Sequence, residues 1–400
     1  MSAPGESAPP PSAIPPLAAR VLALEGSSTV ESSERIRAAQ AAGREVLALA
    51  SGDPNIETHP AIIAAAHAAM KRGATHYGPV AGLPSLRQAI ARRIGERAGT
   101  AYQASEILVT PGGKFAAYAA IMATVAAGDE VVILDPAWVS YGPCVKLAGG
   151  RPVAVAALEG VDPVLLAEAI TPRTRMIIVN SPTNPTGRVL GRDELAAILA
   201  LAVERDLWLL FDQVYCELSF AKDAFTYLHA LPGAMARTFV VDSLSKTYGM
   251  TGWRLGYLAL PEAAVNPVQK ILQHSLYCVP PFLQAGAEAA LALPDSVIAG
   301  YRERFRRRRD RAVAALNRLP GIACAPPPAT FYLFPKVGGD DKAVAAEWFE
   351  RLSIAVLPGS AFGPSGAGHL RLSLACTDDV LDEALARLAR HYRVNALDKN

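Results

Sequence analysis

The stretch Ser243-Leu-Ser245-Lys246-Thr-Tyr248-Gly-Met-Thr-Gly252-Trp-Arg254-Leu-Gly256 decides how this chain is read. It directly follows an apolar run, Thr238-Phe-Val-Val-Asp242, so an amine, hydroxyls and a guanidinium gather where a strand is expected to end. A lysine free in water, with a pKa of about 10.4, is almost wholly protonated and a poor nucleophile. Held in a dry pocket or beside other cations, it can attack a carbonyl near neutral pH and form an imine. The hydroxyls of Ser243 and Ser245, with Arg254, can hold a phosphate. An aldehyde and a phosphate on one small molecule are what pyridoxal phosphate offers, and the segment points to that cofactor.

Working outward, further apolar runs recur at Val131-Val-Ile-Leu134, Met176-Ile-Ile-Val179, Leu207-Trp-Leu-Leu-Phe211, Phe239-Val-Val241 and Gly256-Tyr-Leu-Ala-Leu260. They are continuous, not alternating, as strands covered on both faces require. Between them lie helical patterns such as Arg192 to Glu204, where Asp193 and Glu194 favour a helix start. Repeated strand and helix predict an α/β fold with a mostly parallel sheet flanked by helices over residues 60–299. A long charged helix from Arg302 to Leu319, strands at Phe331–Phe334 and Leu370–Leu374, and a closing helix from Asp378 to Tyr392 predict a smaller α+β domain. That domain is expected to comprise residues 17–59 and 300–400, with residues 1–16 a disordered Pro-, Ala- and Ser-rich arm.

In open α/β sheets ligands gather at the carboxyl ends of strands, and here each apolar run leads into residues with chemical use. Val131–Leu134 leads to Asp135-Pro-Ala-Trp138, and Met176–Val179 leads to Asn180-Ser-Pro-Thr-Asn184-Pro-Thr-Gly187. Leu207–Phe211 leads to Asp212-Gln-Val-Tyr215. Each residue also has a plainer use. Asp212 can cap a helix, Asn184 can bond its own turn, and Trp138 and Tyr215 can fill core. The repetition at one strand end after another makes a site the better reading. There Asp212 suits a pyridine nitrogen and Trp138 suits stacking on a flat ring. Thr110-Pro-Gly112-Gly113-Lys114, before an apolar helix, is a phosphate-binding helix start. Arg371 lies inside a strand-like run, where a planar guanidinium can fork onto a substrate carboxylate.

Composition narrows the field. The hydrophobic fraction is 51%, the charged fraction 19% and the net charge +2, which describes a packed globule with no electrostatic pull toward nucleic acid or membrane. The longest uncharged apolar stretch, Phe115 to Ala127, falls short of the roughly 20 residues a bilayer span needs. The basic run Arg306–Arg309 sits near Glu303 and Asp310, the pattern of a solvated helix face. Cys144, Cys216, Cys278, Cys324 and Cys376 lack paired or metal-like spacing, so free thiols in a reducing cytoplasm, and no metal, are expected.

The combination of Ser-x-Ser-Lys-x-x-x-Met-x-Gly-Trp-Arg with Asn-x-Pro-x-Asn-Pro-Thr-Gly resembles the class I and II aminotransferases, fold-type I pyridoxal-phosphate enzymes. The likeness runs from about Pro16 to Tyr392. It implies that Lys246 is the cofactor-linking lysine and proton shuttle, and that Asp212 partners the ring nitrogen. Tyr215 and Asn184 would bond the ring hydroxyl, and Trp138 would stack on the ring. Gly113, Lys114, Ser243, Ser245 and Arg254 would form the phosphate cup. Tyr77 would reach the phosphate of a neighbouring subunit, which implies a homodimer with shared sites. Arg371 would clamp the substrate α-carboxylate, with Gly52 lining the pocket. The implied reaction moves an amino group between an L-amino acid and a 2-oxo acid.

Departures from the family pattern are Gln213 where glutamate is usual, Ala137 before the tryptophan, and Ala329-Thr330 before Phe331-Tyr332. Lys114 matches a lysine that binds a distal carboxylate in one subgroup, while a second such lysine is replaced by Glu25. His274, Ser275, Tyr277 and Cys278, in the stretch that shapes the side-chain pocket from the partner, include no arginine. Dicarboxylates of the aspartate or glutamate type are favoured, with neutral or aromatic amino acids, or a carbon–sulfur β-lyase on the same lysine, as alternatives. A nicotinamide dehydrogenase is set aside because no Gly-x-Gly-x-x-Gly follows a strand, and a DNA-binding regulator because the amino-terminal arm is too short for a further module.

Overall fold

The computed structural model describes residues 17–220 and 225–397, with side chains in the last helix described as far as Arg393. The arm expected over residues 1–16 lies outside the described residues. Seven strands form the main sheet: β1 (Ile107–Thr110), β2 (Glu130–Asp135), β3 (Arg151–Ala156), β4 (Thr174–Asn180), β5 (Trp208–Asp212), β6 (Thr238–Ser243) and β7 (Gly256–Ala259). Their spatial order is β1-β7-β6-β5-β4-β2-β3. All neighbours are parallel except β7, which runs antiparallel to both β6 and β1.

The continuous apolar runs have the expected physical cause. In β4, Met176 and Ile178 face one core cluster and Ile177 and Val179 face another. In β2, Val131 and Ile133 take the first side, Val132 and Leu134 the second. Successive side chains of a strand point to opposite faces, so a strand covered on both sides must be apolar throughout. The helices Gly113–Thr124, Tyr141–Leu147 and Glu262–Ser275 cover the first face. Arg192–Glu204 covers part of the second. β3 was not among the runs picked out in the sequence, because as an edge strand most of its residues are partly exposed and its apolar pattern is weak.

A further unit is built from short pairings. Leu47–Ala48 lies parallel to Ile354–Ala355, and Leu370–Ser373 is flanked by Tyr332–Leu333 and Leu357–Pro358. The long helix runs Asp295–Leu316, longer at its start and shorter at its end than the expected Arg302–Leu319. Pro294 caps its start, and Leu319 precedes Pro320, where helical backbone is disfavoured. This helix crosses residue 299 without a break. Its Ile298 packs with Ile94 and Ala290 beside the sheet, whereas Phe305, Ala312 and Leu316 pack with Trp348 and Leu388. The final helix is Asp378–Leu397.

Because β1, β2, β4, β5 and β6 all point one way, Gly112, Trp138, Asn184, Tyr215 and Lys246 follow strand ends along one edge. The antiparallel β7 starts at that edge, so Arg254 arrives there as well. Gly256 is paired with both Thr110 and Ser243. A Cβ on Gly256 would stand 2.6 Å from Gly112 C and Gly113 N, so only glycine lets the helix start lie against the sheet. Gly256→Ala is expected to destabilise the protein by about 1–3 kcal/mol through overpacking. Urea unfolding of the two proteins checks this, and an unchanged midpoint would show that the loop gives way freely.

Candidate active site

A cavity of about 510 Å³ opens at this edge, between the sheet and the unit built around Leu370–Ser373. Gly52, Gly113, Lys114, Trp138, Asn184, Asp212, Tyr215, Ser243, Ser245, Lys246, Arg254 and Arg371 all line it. Of the sequence candidates, Tyr77 alone stands apart. It is 85% exposed and packs edge-on against Tyr277 at 4.9 Å between ring centroids.

Lys246 sits in a four-residue helix, Leu244–Thr247, whose N-cap is Ser243. Its Nζ donates to the carbonyl of Gly52 at 2.5 Å. A Cβ on Gly52 would lie 2.9 Å from the Tyr332 hydroxyl, so glycine keeps this wall thin. Desolvation, aided by the nearby Arg371 and Arg254 charges, pulls the amine down to about 8, against the attraction of Asp53 and Asp212. It is therefore partly unprotonated near neutrality, as a nucleophile or proton shuttle must be.

Asp212 ends β5 and is buried at the cavity floor. Burial pushes its carboxyl up to about 6, opposed by hydrogen bonds from the Tyr141 hydroxyl at 2.6 Å and the Val214 backbone N–H at 3.2 Å, and by the Lys246 charge. Desolvation and the Asp212 charge hold Tyr141 far above its ordinary value, so it stays a donor. Tyr215 is buried, and its hydroxyl lies 3.1 Å from that of Tyr332.

The other end of the cavity gathers donors. Gly112 has φ +86°, and a Cβ there would meet the Arg254 guanidinium at 2.6 Å. Arg254 donates to the carbonyls of Thr251 and Pro111 at 2.9 and 3.2 Å. The Ser243 hydroxyl donates to Leu255 O at 2.9 Å, accepts from Ser245 N at 3.1 Å and lies 2.8 Å from the Ser245 hydroxyl. With the start of the helix Gly113–Thr124, these groups can cradle a phosphate. The Lys114 amine stands 5.2 Å from the centre of the Trp138 ring.

Arg371 is 1% exposed, on the central strand of the smaller unit. Its Nη1 donates to Asn184 Oδ1 at 3.0 Å and its Nη2 to Ala50 O at 2.8 Å. The rings of Tyr332 and Phe362 lie 4.3 and 4.8 Å from its guanidinium carbon. Its Nε has no partner, and no described acid forms an ion pair with it. Burial lowers its pKa. A buried, unneutralised guanidinium lining a cavity can receive a carboxylate.

The sequence did not single out Tyr141, Tyr332, Asp53, Arg37, Thr29, Ser33 or Thr251, which share this lining. Thr29, Ser33 and Arg37 stand at four-residue spacing on the helix Ser28–Ala41, and that spacing was the one available signal.

An α/β sheet with an amine, a carboxylate and an anion cradle at the carboxyl ends of its parallel strands has the fold-type I architecture. The chain belongs to the aminotransferase class I and II family, whose model matches residues 44–388. It is 39% identical to the aspartate/prephenate aminotransferase of Cereibacter sphaeroides over 90% of this chain and 95% of that protein. With the aspartate aminotransferase of Geobacillus stearothermophilus it shares 35% identity, covering 95% of this chain and all (100%) of the relative. The aspartate aminotransferase from Thermus thermophilus with maleate superposes with a TM-score of 0.90 at 33% identity, covering 94% and 100% of the two chains. The protein is an aminotransferase.

The lowered Lys246 pKa has a sign that can be tested. Between about 8 and the ordinary 10.5 the unfolded chain binds a proton that the native chain does not. Native stability therefore rises with pH through that window, and below it the buried charge is a cost. Lys246→Met is expected to raise the melting midpoint of cofactor-free protein at pH 7, with the gain shrinking by pH 10. A gain independent of pH would contradict the burial of this charge.

Proposed function

We propose that the chain is a pyridoxal-phosphate-dependent aminotransferase, acting on L-aspartate- or L-glutamate-type amino acids and 2-oxo acids, as a cytoplasmic homodimer with shared sites. The observation that carries this reading is the pairing, within one cavity, of the half-buried Lys246 amine and the buried, acid-free Arg371 guanidinium. One group suits an aldehyde and the other a carboxylate.

The donor set fits the cofactor. The amine and the Asp212 carboxylate would serve its aldehyde and ring nitrogen, Trp138 would offer a stacking face, and Tyr215 and Asn184 would bond the ring hydroxyl. The backbone N–H groups of Gly113 and Lys114 with Ser243, Ser245 and Arg254 would take the phosphate, joined by Tyr77 of the partner subunit, which leaves the Lys114 amine free for substrate. When bound, pyridoxal phosphate supplies an aldehyde and an electron-accepting ring that stabilises negative charge at the substrate Cα. The chain does the rest. Asp212, ionised above about pH 6, would hold a proton at the ring nitrogen. Arg371 forks onto the α-carboxylate and fixes which Cα bond faces Lys246. Lys246 would take the Cα proton and return it at the carbon of the cofactor's aldehyde.

The names of the relatives support the dicarboxylate class, and so does the lining itself. Lys114 and Arg37 both face the cavity that holds Arg371, offering charge for a second carboxylate, whereas Glu25 is not part of the lining.

Addition of single amino acids to the cofactor-loaded protein is expected to bleach its visible band and release the matching 2-oxo acid, fastest with aspartate or glutamate. Lys246→Ala is expected to abolish turnover, and retained activity would overturn the assignment. Arg371→Ala is expected to raise KM for every amino acid by about a hundredfold, the loss of a buried charge-assisted pair. An effect confined to dicarboxylates would place Arg371 at the distal group instead.

A further inference from the structure

Behind the cavity, on the other side of β5 and β6, lies a small polar network that the reaction itself does not use. Asp242 precedes Ser243 on β6, and its carboxyl accepts three hydrogen bonds. Its Oδ1 receives the Ser243 backbone N–H at 2.6 Å, and its Oδ2 receives Gln213 Nε2 at 3.2 Å and the Tyr257 hydroxyl at 2.9 Å. No described cation forms an ion pair with it. The other end of the Gln213 amide, Oε1, lies 3.2 Å from His229 Nε2. Gln213 and His229 are both buried, at 3% and 1% exposure. Burial pushes His229 down to about 4, so the imidazole is neutral. The Asp242 carboxylate takes the amide nitrogen, which turns the amide oxygen toward His229 and pairs it with the Nε2–H tautomer of that ring.

We propose that Gln213 and Asp242 form a positioning pair behind the site, in which the Gln213 amide holds the Asp242 carboxylate against the Ser243 backbone and so fixes the hydroxyl cup and the segment bearing Lys246. The links are continuous. Asp242 grips Ser243 N, the Ser243 hydroxyl caps the helix of Lys246 by accepting from Ser245 N, and Gln213 follows Asp212 directly in the chain. The proposal rests on the functional reading above.

A glutamate at 213 cannot act in this way. It has no donor for Asp242 when ionised, and two carboxylates in hydrogen-bond contact cannot both stay charged cheaply. The surroundings supply little relief. Asp242 is pushed up to about 7 by burial, with the hydrogen bonds from Ser243, Gln213 and Tyr257 opposing and Glu217 adding to the rise. The titratable groups around it are Cys216 and Glu217 beyond β5, Tyr227, Tyr248, Tyr257 of β7, and Arg93 of the helix Pro84–Ala98. Arg93 and Arg97 are already committed to Glu217 and Asp295. Exchanging the pair restores the pattern, because an asparagine at 242 donates to a glutamate at 213 while its oxygen still accepts from Ser243 N.

The test is absorbance titration of native, Gln213→Glu and Gln213→Glu/Asp242→Asn proteins with pyridoxal phosphate at pH 6 and pH 8. Gln213→Glu is expected to weaken binding about tenfold at pH 8 and less at pH 6, where the two carboxyls in contact hold a proton between them. The exchanged pair is expected to return to within about threefold of native at both pH values. A Gln213→Glu protein that binds as the native one does, or an exchange no better than the single variant, overturns the proposal. If the single variant is insoluble, a soluble exchange with near-native affinity supports the pair and an insoluble one overturns it. Failure of the native protein to bind would overturn the functional reading and this pair's role together, whereas native binding with a failed exchange overturns the pair alone.

Discussion

Arg371 is a full positive charge 1% exposed on a central strand, with two neutral oxygens and two aromatic faces around it in place of an acid. Withdrawing an ion from water without a counterion costs several kcal/mol even after relaxation, so such a group persists only where something else profits from it. The carbonyl of Ala50 and the amide oxygen of Asn184 satisfy two of its donors but neutralise nothing. The rest of the cavity follows from the same restraint. An acid placed beside Arg371 would quench it, and the acids that do line the space, Asp212 and Asp53, are engaged elsewhere. Asp212 is held by Tyr141, and Asp53 by the Thr251 hydroxyl at 2.7 Å.

The two ends of the cavity are joined through backbone as well as across open space. Asn180 pairs with Asp212 across β4 and β5, and its side chain donates to Asp212 O at 2.9 Å. Its Oδ1 accepts from Asn184 N at 2.9 Å, and Asn184 in turn accepts from Arg371. A chain of hydrogen bonds thus runs from the proposed ring-nitrogen partner to the proposed carboxylate clamp. The Tyr215–Tyr332 contact makes a second bridge between the sheet and the smaller unit. A shift of either unit would disturb both ends together, which is the kind of preorganisation an oriented reaction requires.

The sequence made the strand-end residues legible because each stands just past an apolar run, and a parallel sheet brings such positions to one edge whatever the helices between them do. Lys246, Asp212, Asn184 and Trp138 were readable for that reason. Tyr141 and Tyr332 were not. Tyr141 enters by a helix turn beyond Trp138 and belongs to no motif, and Tyr332 meets Tyr215 across a sequence separation of 117 residues. Arg37 was hidden because the helix Ser28–Ala41 buries none of its residues and so has no apolar stripe to orient it. The edge strand β3 and the first turns of the helix Asp295–Leu316 escaped for a similar reason, since half-exposed segments carry weak periodicity. Gln213 was visible as a departure from the family pattern, but its partners Asp242 and His229 come together only through the pairing of β5 with β6 and the segment beyond.

The reversal of β7 explains why a strained arginine belongs at the phosphate end. Five strands of the sheet reach the cavity with their carboxyl ends, and a further parallel strand there would also have ended at that edge. An antiparallel strand instead begins at the edge, so the residues just before it, Thr251 to Leu255, turn tightly across the cup. Arg254 takes φ +53° in that turn, a left-handed backbone that costs a residue with a Cβ on the order of 1 kcal/mol. Glycine would remove the strain, and glycine is plentiful on either side, at Gly252 and Gly256. A guanidinium held over Gly112 by two carbonyls offers what glycine cannot, a fixed positive charge facing the start of the helix Gly113–Thr124. Backbone strain at this residue is thus set against the attraction of an anion.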